Sequence, residues 1–541
     1  MKENLYQMNA LKTSLPITLF LLVVFFGKGP WHVLLLTAAQ IVYVPLTLKL
    51  IMTKGDWFSK FYPYISIPAY LSITLIQLTT NTEWDVLFAA IYLLFTFVVA
   101  LYGLDRFLMI GFTHIEEFSI NMAMMYLAMG GIWYFAYTAN IDTGFTPMLT
   151  WLTAIHFHYS AFLLPFFVGF LGRVYKPQSY SLITSIILLA PMIVAVGITF
   201  STVIELLSVI AYMIGIYGVI HLSCQAAFLR TLQKWLVCLS FAALGITILF
   251  SLLYASGNLF GSHSISIDFM LRFHGIVNAI GFALTGIIGW SISIPPTTAK
   301  WTFPISKITG KHVIGENILV EIGGNNHYQG LIDHMSLYEP DIDRQTLAPR
   351  IVDFYENTNE YRLFTKVKWQ AWFKPVAIIY RLISRFVKQI DLPLSSRQIE
   401  MTGEIFAIND DKDGRANTRA WVRKIKGEVV FVALYSTHEK DRRTYMNISL
   451  PLPWSSMIGI LELNQIGNEL QLSSKKVHTP NADSGIYLAF KHWLVKLPIE
   501  EQFHVKETTD GILVANHIMW IFSIPFLKIE YHIYHHEDVH Q

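Results

Sequence analysis

The first 300 positions alternate between apolar stretches of about 20 residues and short polar breaks, a pattern that gives way near residue 312 to short alternating runs. A stretch of roughly 20 apolar residues crosses a ~30 Å hydrocarbon core as a helix, because a helix satisfies its own backbone hydrogen bonds where water cannot. The pattern predicts spans near 11–27, 31–51, 63–80, 85–104, 118–138, 146–171, 181–200, 202–223, 235–256 and 269–293. The first of these is short, but Gly27-Lys28-Gly29-Pro30 offers no small-x-small cleavage site, so it reads as an uncleaved span and not a signal peptide. The later runs predict antiparallel strands over 399–408, 418–425, 429–435, 443–450, 458–463, 470–472, 485–488 and 526–534. In the last run Leu527, Ile529, Tyr531 and Ile533 alternate with Lys528, Glu530 and His532, so one face is buried and one is wet. The apolar stretch 512–525 is too short to span and is assigned to the same core. The expected architecture is a membrane α-helical bundle of about ten transmembrane helices over 1–299, followed by a soluble, β-rich α+β domain over 300–541.

Charge sharpens this division. Residues 1–299 hold 12 Lys+Arg and 10 Asp+Glu, about 7% of the segment, whereas residues 300–541 hold 28 of each, about 23%. The second value is that of an ordinary soluble domain. Its zero balance argues against a nucleic-acid partner, which calls for a basic excess. With a cytoplasmic N-terminus, thirteen Lys and Arg up to Lys311 fall on the inner side and only Lys28 and Arg272 on the outer. Such a positive-inside bias places the N-terminus and the C-terminal domain in the cytoplasm of a multi-pass cell-membrane protein. Cys224 and Cys238 are the only cysteines, and no disulfide framework is indicated.

Polar groups inside spans are costly unless paired or functional. The sixth span carries His156, His158 and Tyr159, the eighth begins at Glu205, and the tenth carries Arg272, His274 and Asn278. At ~1.5 Å per residue His156 lies about 15 Å deep, Asn278 about 14 Å and His274 about 8 Å, so these groups meet if the three spans are neighbours. Residues two apart on a helix point about 200° apart, so His156 and His158 cannot chelate one ion from a regular helix. Tyr159 and Ser160 are placed to partner His156 on its own face. Interhelical hydrogen bonding explains these groups as readily as a site for protons, a small solute, a metal or haem does. His114, Glu116, Glu117, His221 and Cys224 near the inner interface read as solvated loop ends.

Within the second half, Trp372, Val376, Ile379, Ile383, Phe386, Val387 and Ile390 recur at helical spacing near 370–391, with Lys374, Arg381, Arg385 and Lys388 on another face. That pattern suits a helix lying on the anionic inner leaflet, or one packed on the sheet with solvated charges. Asn409 to Gly414 has the spacing of a calcium loop, but the twelfth position is Ala420 and not the bidentate Glu, so a hairpin turn is expected. No catalytic, phosphate-binding or dinucleotide motif is found, and no metal or cofactor is assigned.

The segments His156-Phe157-His158-Tyr159, Arg272 to Ala279, Phe354-Tyr355-Glu356-Asn357-Thr358 and Asp413-Gly414-Arg415 together resemble the YndJ-like family of bacterial integral membrane proteins. The resemblance implies a multi-pass cell-membrane protein with a C-terminal domain of unknown role, and it carries no catalytic residue over. Three functions remain open: transport or membrane sensing through the intramembrane His/Arg/Asn cluster, a membrane-embedded metal or haem enzyme, or a membrane-anchored module holding a lipid or other apolar ligand.

Overall fold

The structure, a computed structural model, describes residues 2–53, 55–79, 82–112, 114–262, 265–297, 303–315, 318, 327–475, 482–491 and 493–540. The chain divides into two compact units, Met1–Phe107 with His114–Ala299, and Leu108–Thr113 with Lys300–Gln541.

The first unit is helical throughout. Its helices are α1 (Lys2–Phe26), α2 (Val33–Lys49), α3 (Trp57–Leu78), α4 (Asp85–Ile110), α5 (Ile115–Thr138), α6 (Pro147–Val174), α7 (Gln178–Phe200), α8 (Thr202–Gln225), α9 (Thr231–Phe260) and α10 (Ile267–Ile292). Each covers one of the ten expected spans, but among the described residues six helices, α4 and α6 to α10, are long and apolar enough to cross a membrane. The apolar parts of α1 and α2 are shorter. Helix α3 is diluted by Ser, Tyr and two prolines, and α5 opens on Glu116 and Glu117.

Helix α6 is the hub. In its apolar window 83% of residues are buried, against 28–44% in the other five, so its neighbours surround it and turn their outer faces away. Small residues let them approach: a Cβ on Gly130 of α5 would stand 2.8 Å from the His158 ring. Helices α2, α6 and α10 are interrupted by π-helical turns, at Ala39–Tyr43, Tyr159–Leu163, Met270–Gly275 and Val277–Leu284. A π turn inserts a residue and rotates every side chain beyond it, a feature frequent at functional sites.

The second unit is built on one antiparallel sheet of twelve strands: β1 (Tyr361–Trp369), β2 (Ile399–Ala407), β3 (Arg419–Ile425), β4 (Glu428–Lys440), β5 (Arg443–Leu452), β6 (Ser455–Ile466), β7 (Glu469–Ser473), β8 (Gly485–Phe490), β9 (Trp493–Lys496), β10 (Ile499–Glu507), β11 (Leu513–Ile521) and β12 (Ile524–His535). Ten of them close into a barrel in the order β1-β2-β3-β4-β5-β6-β7-β10-β11-β12, with β12 returning to β1. Closure leaves no edge strand within the ring of ten. The long β6 gives Glu462–Ile466 to β7 and Ser456–Ile460 to β8, so the β8–β9 hairpin hangs outside the ring.

Helix α11 (Pro349–Glu356) and the segment before it close one end of the barrel, where Leu331, Phe354 and Tyr355 reach the interior. At the other end lie helix α12 (Lys374–Val387), the β11–β12 turn and the segment Ile390 to Leu392. The expected core stretch 512–525 is strand β11 and its turn into β12. The Asn409 to Gly414 loop joins β2 to β3 through one helical turn, whose Asp413 is buried against Arg415 at 2.6 Å.

Candidate functional sites

The intramembrane residues singled out by sequence divide into separate sets. His158 is fully buried on α6, with Nδ1 2.8 Å from the Ala154 carbonyl and Nε2 2.7 Å from the Tyr92 hydroxyl of α4. Both ring nitrogens are satisfied, and the contact fastens α4 to α6. His156 points elsewhere, its Nδ1 2.6 Å from the Leu152 carbonyl and its ring 6.4 Å from that of His274. On α10, His274 Nδ1 lies 3.1 Å from the Thr247 carbonyl, and Asn278 Oδ1 accepts from Thr247 Oγ1 at 2.8 Å. Thr247 of α9, which sequence reading missed, therefore joins His156, His274 and Asn278 in one group.

Three expectations are corrected. Tyr159 does not partner His156: the π turn beginning at Tyr159 rotates it inward, where its hydroxyl donates to the Leu35 carbonyl at 2.7 Å. Glu205 is not at the histidines but accepts from Asn258 of α9 at 3.0 Å. Arg272 is exposed and pairs with Asp268 one turn earlier at 2.8 Å. Among the described residues no three His, Cys, Asp or Glu side chains converge to hold a metal.

Glu116 and Glu117 are not solvated loop ends either, for both are buried. Glu117 receives Arg106 at 2.9 Å and Arg173 at 2.6 Å, while Lys176 pairs with Glu116 at 2.9 Å. Arg173 also donates to the Pro295 carbonyl at 3.1 Å. One carboxylate thus ties α4, α5, α6 and the chain after α10 together. The signal was present in the sequence, since the acids and the bases all lie at helix ends predicted to share one side.

The second unit holds a cavity that no motif announced. Inside the barrel is a space of about 150 Å³, walled by Met401, Met446, Leu461, Leu472, Val505 and Ile529 among others. Alternation explains the lining, because every second residue of each strand faces inward. Three ionisable groups interrupt it: Arg423, Glu501 and His517. His517 Nε2 lies 3.0 Å from Glu501 Oε2, and its ring stacks on Phe503 with centroids 3.7 Å apart. Arg423, 7% exposed, is held between the rings of Phe431 at 3.8 Å and Trp421 at 4.5 Å. Gly403 on β2 makes room for Trp421, since a Cβ there would stand 2.3 Å from its indole nitrogen. Burial pushes the Tyr435 phenol up to about 12 and raises that of Tyr531, both opposed by the Arg423 charge.

The basic helix near 370–391 occupies α12. It packs on the barrel through Ala377, Tyr380, Ser384 and Val387 and turns its larger apolar residues outward. Leu382 and Phe386 are each 71% exposed, with Trp372, Val376, Ile379 and Ile383 beside them. Lys374, Arg385 and Lys388 are exposed, and Arg381 lies 3.9 Å from Asp391. The Trp372 indole donates to the Pro525 carbonyl at 3.0 Å, which ties the helix start to the β11–β12 turn, where Phe522 and Ile524 are exposed as well. Next to Lys374 a surface hollow of about 490 Å³ is lined by Lys366, Lys368, Lys528 and Glu530. Lys368 and Lys528 are directly opposed across β1 and β12, a like-charge pairing that costs stability.

Helices able to cross a bilayer, joined in one chain to a closed β-barrel with an apolar interior, define a multi-pass membrane protein with an appended barrel domain. The family model of YndJ-like proteins matches residues 34–282. A Bacillus subtilis (strain 168) protein named "Uncharacterized membrane protein YndJ" is 42% identical over 456 residues, covering 83% of this chain and 84% of that relative. The chain belongs to the YndJ-like family. No solved structure matches it.

Proposed function

We propose that this protein is a membrane-anchored binding module whose barrel holds an apolar ligand. The observation that carries this reading is the closed barrel enclosing an apolar space of about 150 Å³. A mainly apolar cavity of that order takes up a small apolar group. In this reading all ten helices lie in the membrane, the N-terminus and the barrel are cytoplasmic, and α12 rests on the anionic inner leaflet. An exposed apolar face flanked by Lys374, Arg381, Arg385 and Lys388 supports that contact. The lysines beside it extend the positive surface.

The test uses the full chain in lipid nanodiscs, exposed to a hexanoic acid carrying a photoreactive diazirine at its tail and analysed by peptide mass spectrometry. Adducts are expected on cavity-lining peptides, and Leu461→Trp, which fills the space, should remove them without changing those on the helices. Adducts confined to α1 to α10 in the wild type overturn the reading. The topology fails if a tag after residue 541 is cleaved from outside intact cells.

A second reading, sensing or transport through the bundle, is favoured by the His156, Thr247, His274 and Asn278 group beside two π turns of α10. His156→Ala and His274→Ala should then abolish the response while the protein stays in the membrane; if both remove it from the membrane, the residues serve packing.

A further inference from the structure

Three ionisable groups interrupt the apolar cavity, and Arg423, which stands apart from the Glu501–His517 pair, says what kind of ligand it fits. Arg423 is more than nine-tenths buried, its Nε has no hydrogen-bond partner, and among the described residues no carboxylate lies within 4 Å of its guanidinium. Its polar neighbour is the Tyr531 phenol, which brings no charge. Burying a charge without a counter-ion costs several kcal/mol, on the order of what a domain has in reserve. The other charges in the cavity do not repeat the situation, because Glu501 is engaged by His517 at 3.0 Å. Nor is the guanidinium free to swing out to water, since Phe431 and Trp421 hold it from two sides.

Its position along the barrel matters as much as its isolation. Arg423 pairs with Gly403 and Phe431 near the end of β3 that leads toward α12, whereas Phe354 and Tyr355 close the opposite end. A charge near the end flanked by the amphipathic helix, with an apolar space running away from it to a closed end, matches a molecule polar at one tip only. We propose that Arg423 anchors an anionic head group, so that the barrel's ligand is a single apolar chain ending in a carboxylate or a phosphate. This deepens the apolar-ligand reading and rests on it. The head lies at Arg423, the tail points toward Phe354 and Tyr355, and a space of about 150 Å³ suits one short chain of about six carbons, since a cavity of that size takes up a molecule like benzene.

The experiment compares three tail-diazirine probes on the full chain in nanodiscs: hexanoic acid, its methyl ester and a lysophosphatidate of the same chain length, with barrel adducts normalised to those on the helices. A charge-assisted pair with a buried guanidinium predicts at least about tenfold more barrel labelling by an anionic probe than by the ester. Excess from the acid alone identifies a carboxylate head, and excess from the lysophosphatidate alone a phosphate head. Adducts are expected toward Phe354 and Tyr355. Arg423→Met should bring the anionic probes down to the ester's level, and Arg423→Lys, which keeps the charge, should retain part of the preference. Equal labelling of the wild type by all three overturns the anchor and leaves the apolar cavity standing. No barrel labelling by any probe overturns both. The wild-type comparison holds whether or not Arg423→Met folds.

Discussion

The helical unit pairs the charges it buries, as the second unit does at Asp413 and Arg415, whereas among the described residues the barrel's cavity holds one that is not paired. In the bundle Glu117 sits between Arg106 and Arg173, His158 between Ala154 and Tyr92, and Glu205 against Asn258. In the barrel's cavity Arg423 is stacked between two rings, and among the described residues no carboxylate comes within 4 Å of it, Glu501 of the same lining being engaged by His517. The difference follows from what surrounds each group. Helices that pack in lipid gain little from apolar contact alone, so paired polar groups are what specify their neighbours. A closed barrel is specified by backbone pairing all round, and an interior charge is not needed to hold it. These charged groups of the bundle are therefore accounted for by structure, even though among the described residues the uncharged Gln40 is buried there without a partner, while the barrel's arginine is left for a ligand.

Substitutions can break or sharpen this contrast. Glu117→Ala leaves two buried guanidiniums without their carboxylate and should cost about 3–5 kcal/mol, read as loss of folded protein in detergent melts. A change near zero would mean that water replaces the pair and the bundle is less dry than its packing implies. Arg423→Met removes a buried charge that has no acidic partner, and should leave the barrel's melting temperature unchanged or raise it, an effect of about 0 to 4 kcal/mol of stabilisation. Destabilisation there would make Arg423 structural and erase the distinction. Tyr92→Phe deletes one interhelical hydrogen bond to His158 and should cost about 0.6 kcal/mol, the usual size for such bonds in membranes. Leu382→Glu with Phe386→Glu lies on an exposed face, so stability should shift by less than about 0.5 kcal/mol. The same pair should weaken photolabelling of α12 by diazirine phospholipids in anionic nanodiscs; unchanged labelling would place α12 away from the bilayer.

Much of the fold is legible in local pattern alone. Eight of the twelve strands follow from alternation, from Ile399 through to Tyr534. Of the four strands not predicted, β1, Tyr361–Trp369, alternates cleanly and was legible, whereas β9, Trp493–Lys496, is only four residues long. β10, Ile499–Glu507, carries acids and a histidine, and β11, Leu513–Ile521, is apolar on both faces, so neither shows a clean period of two. The intramembrane candidates were legible as residue types, yet their partners were not: a π turn at Tyr159 changes which way the next residues point, and nothing local marks it.

What the sequence determined by itself is whatever depends on the chain's neighbours in sequence. Runs of apolar residues set the helices, alternation sets the strands, and the basic face of 374–388 sets an amphipathic helix, because each is a local period matched to a local geometry. Only the tertiary structure decided that ten strands return to their start and enclose a space, that α12 packs on Ala377 and Ser384 with its large apolar residues outside, and that Arg423 faces inward with no carboxylate within 4 Å among the described residues. Those outcomes depend on which distant segments meet, and contacts between residues far apart in the chain have no period for a sequence to display.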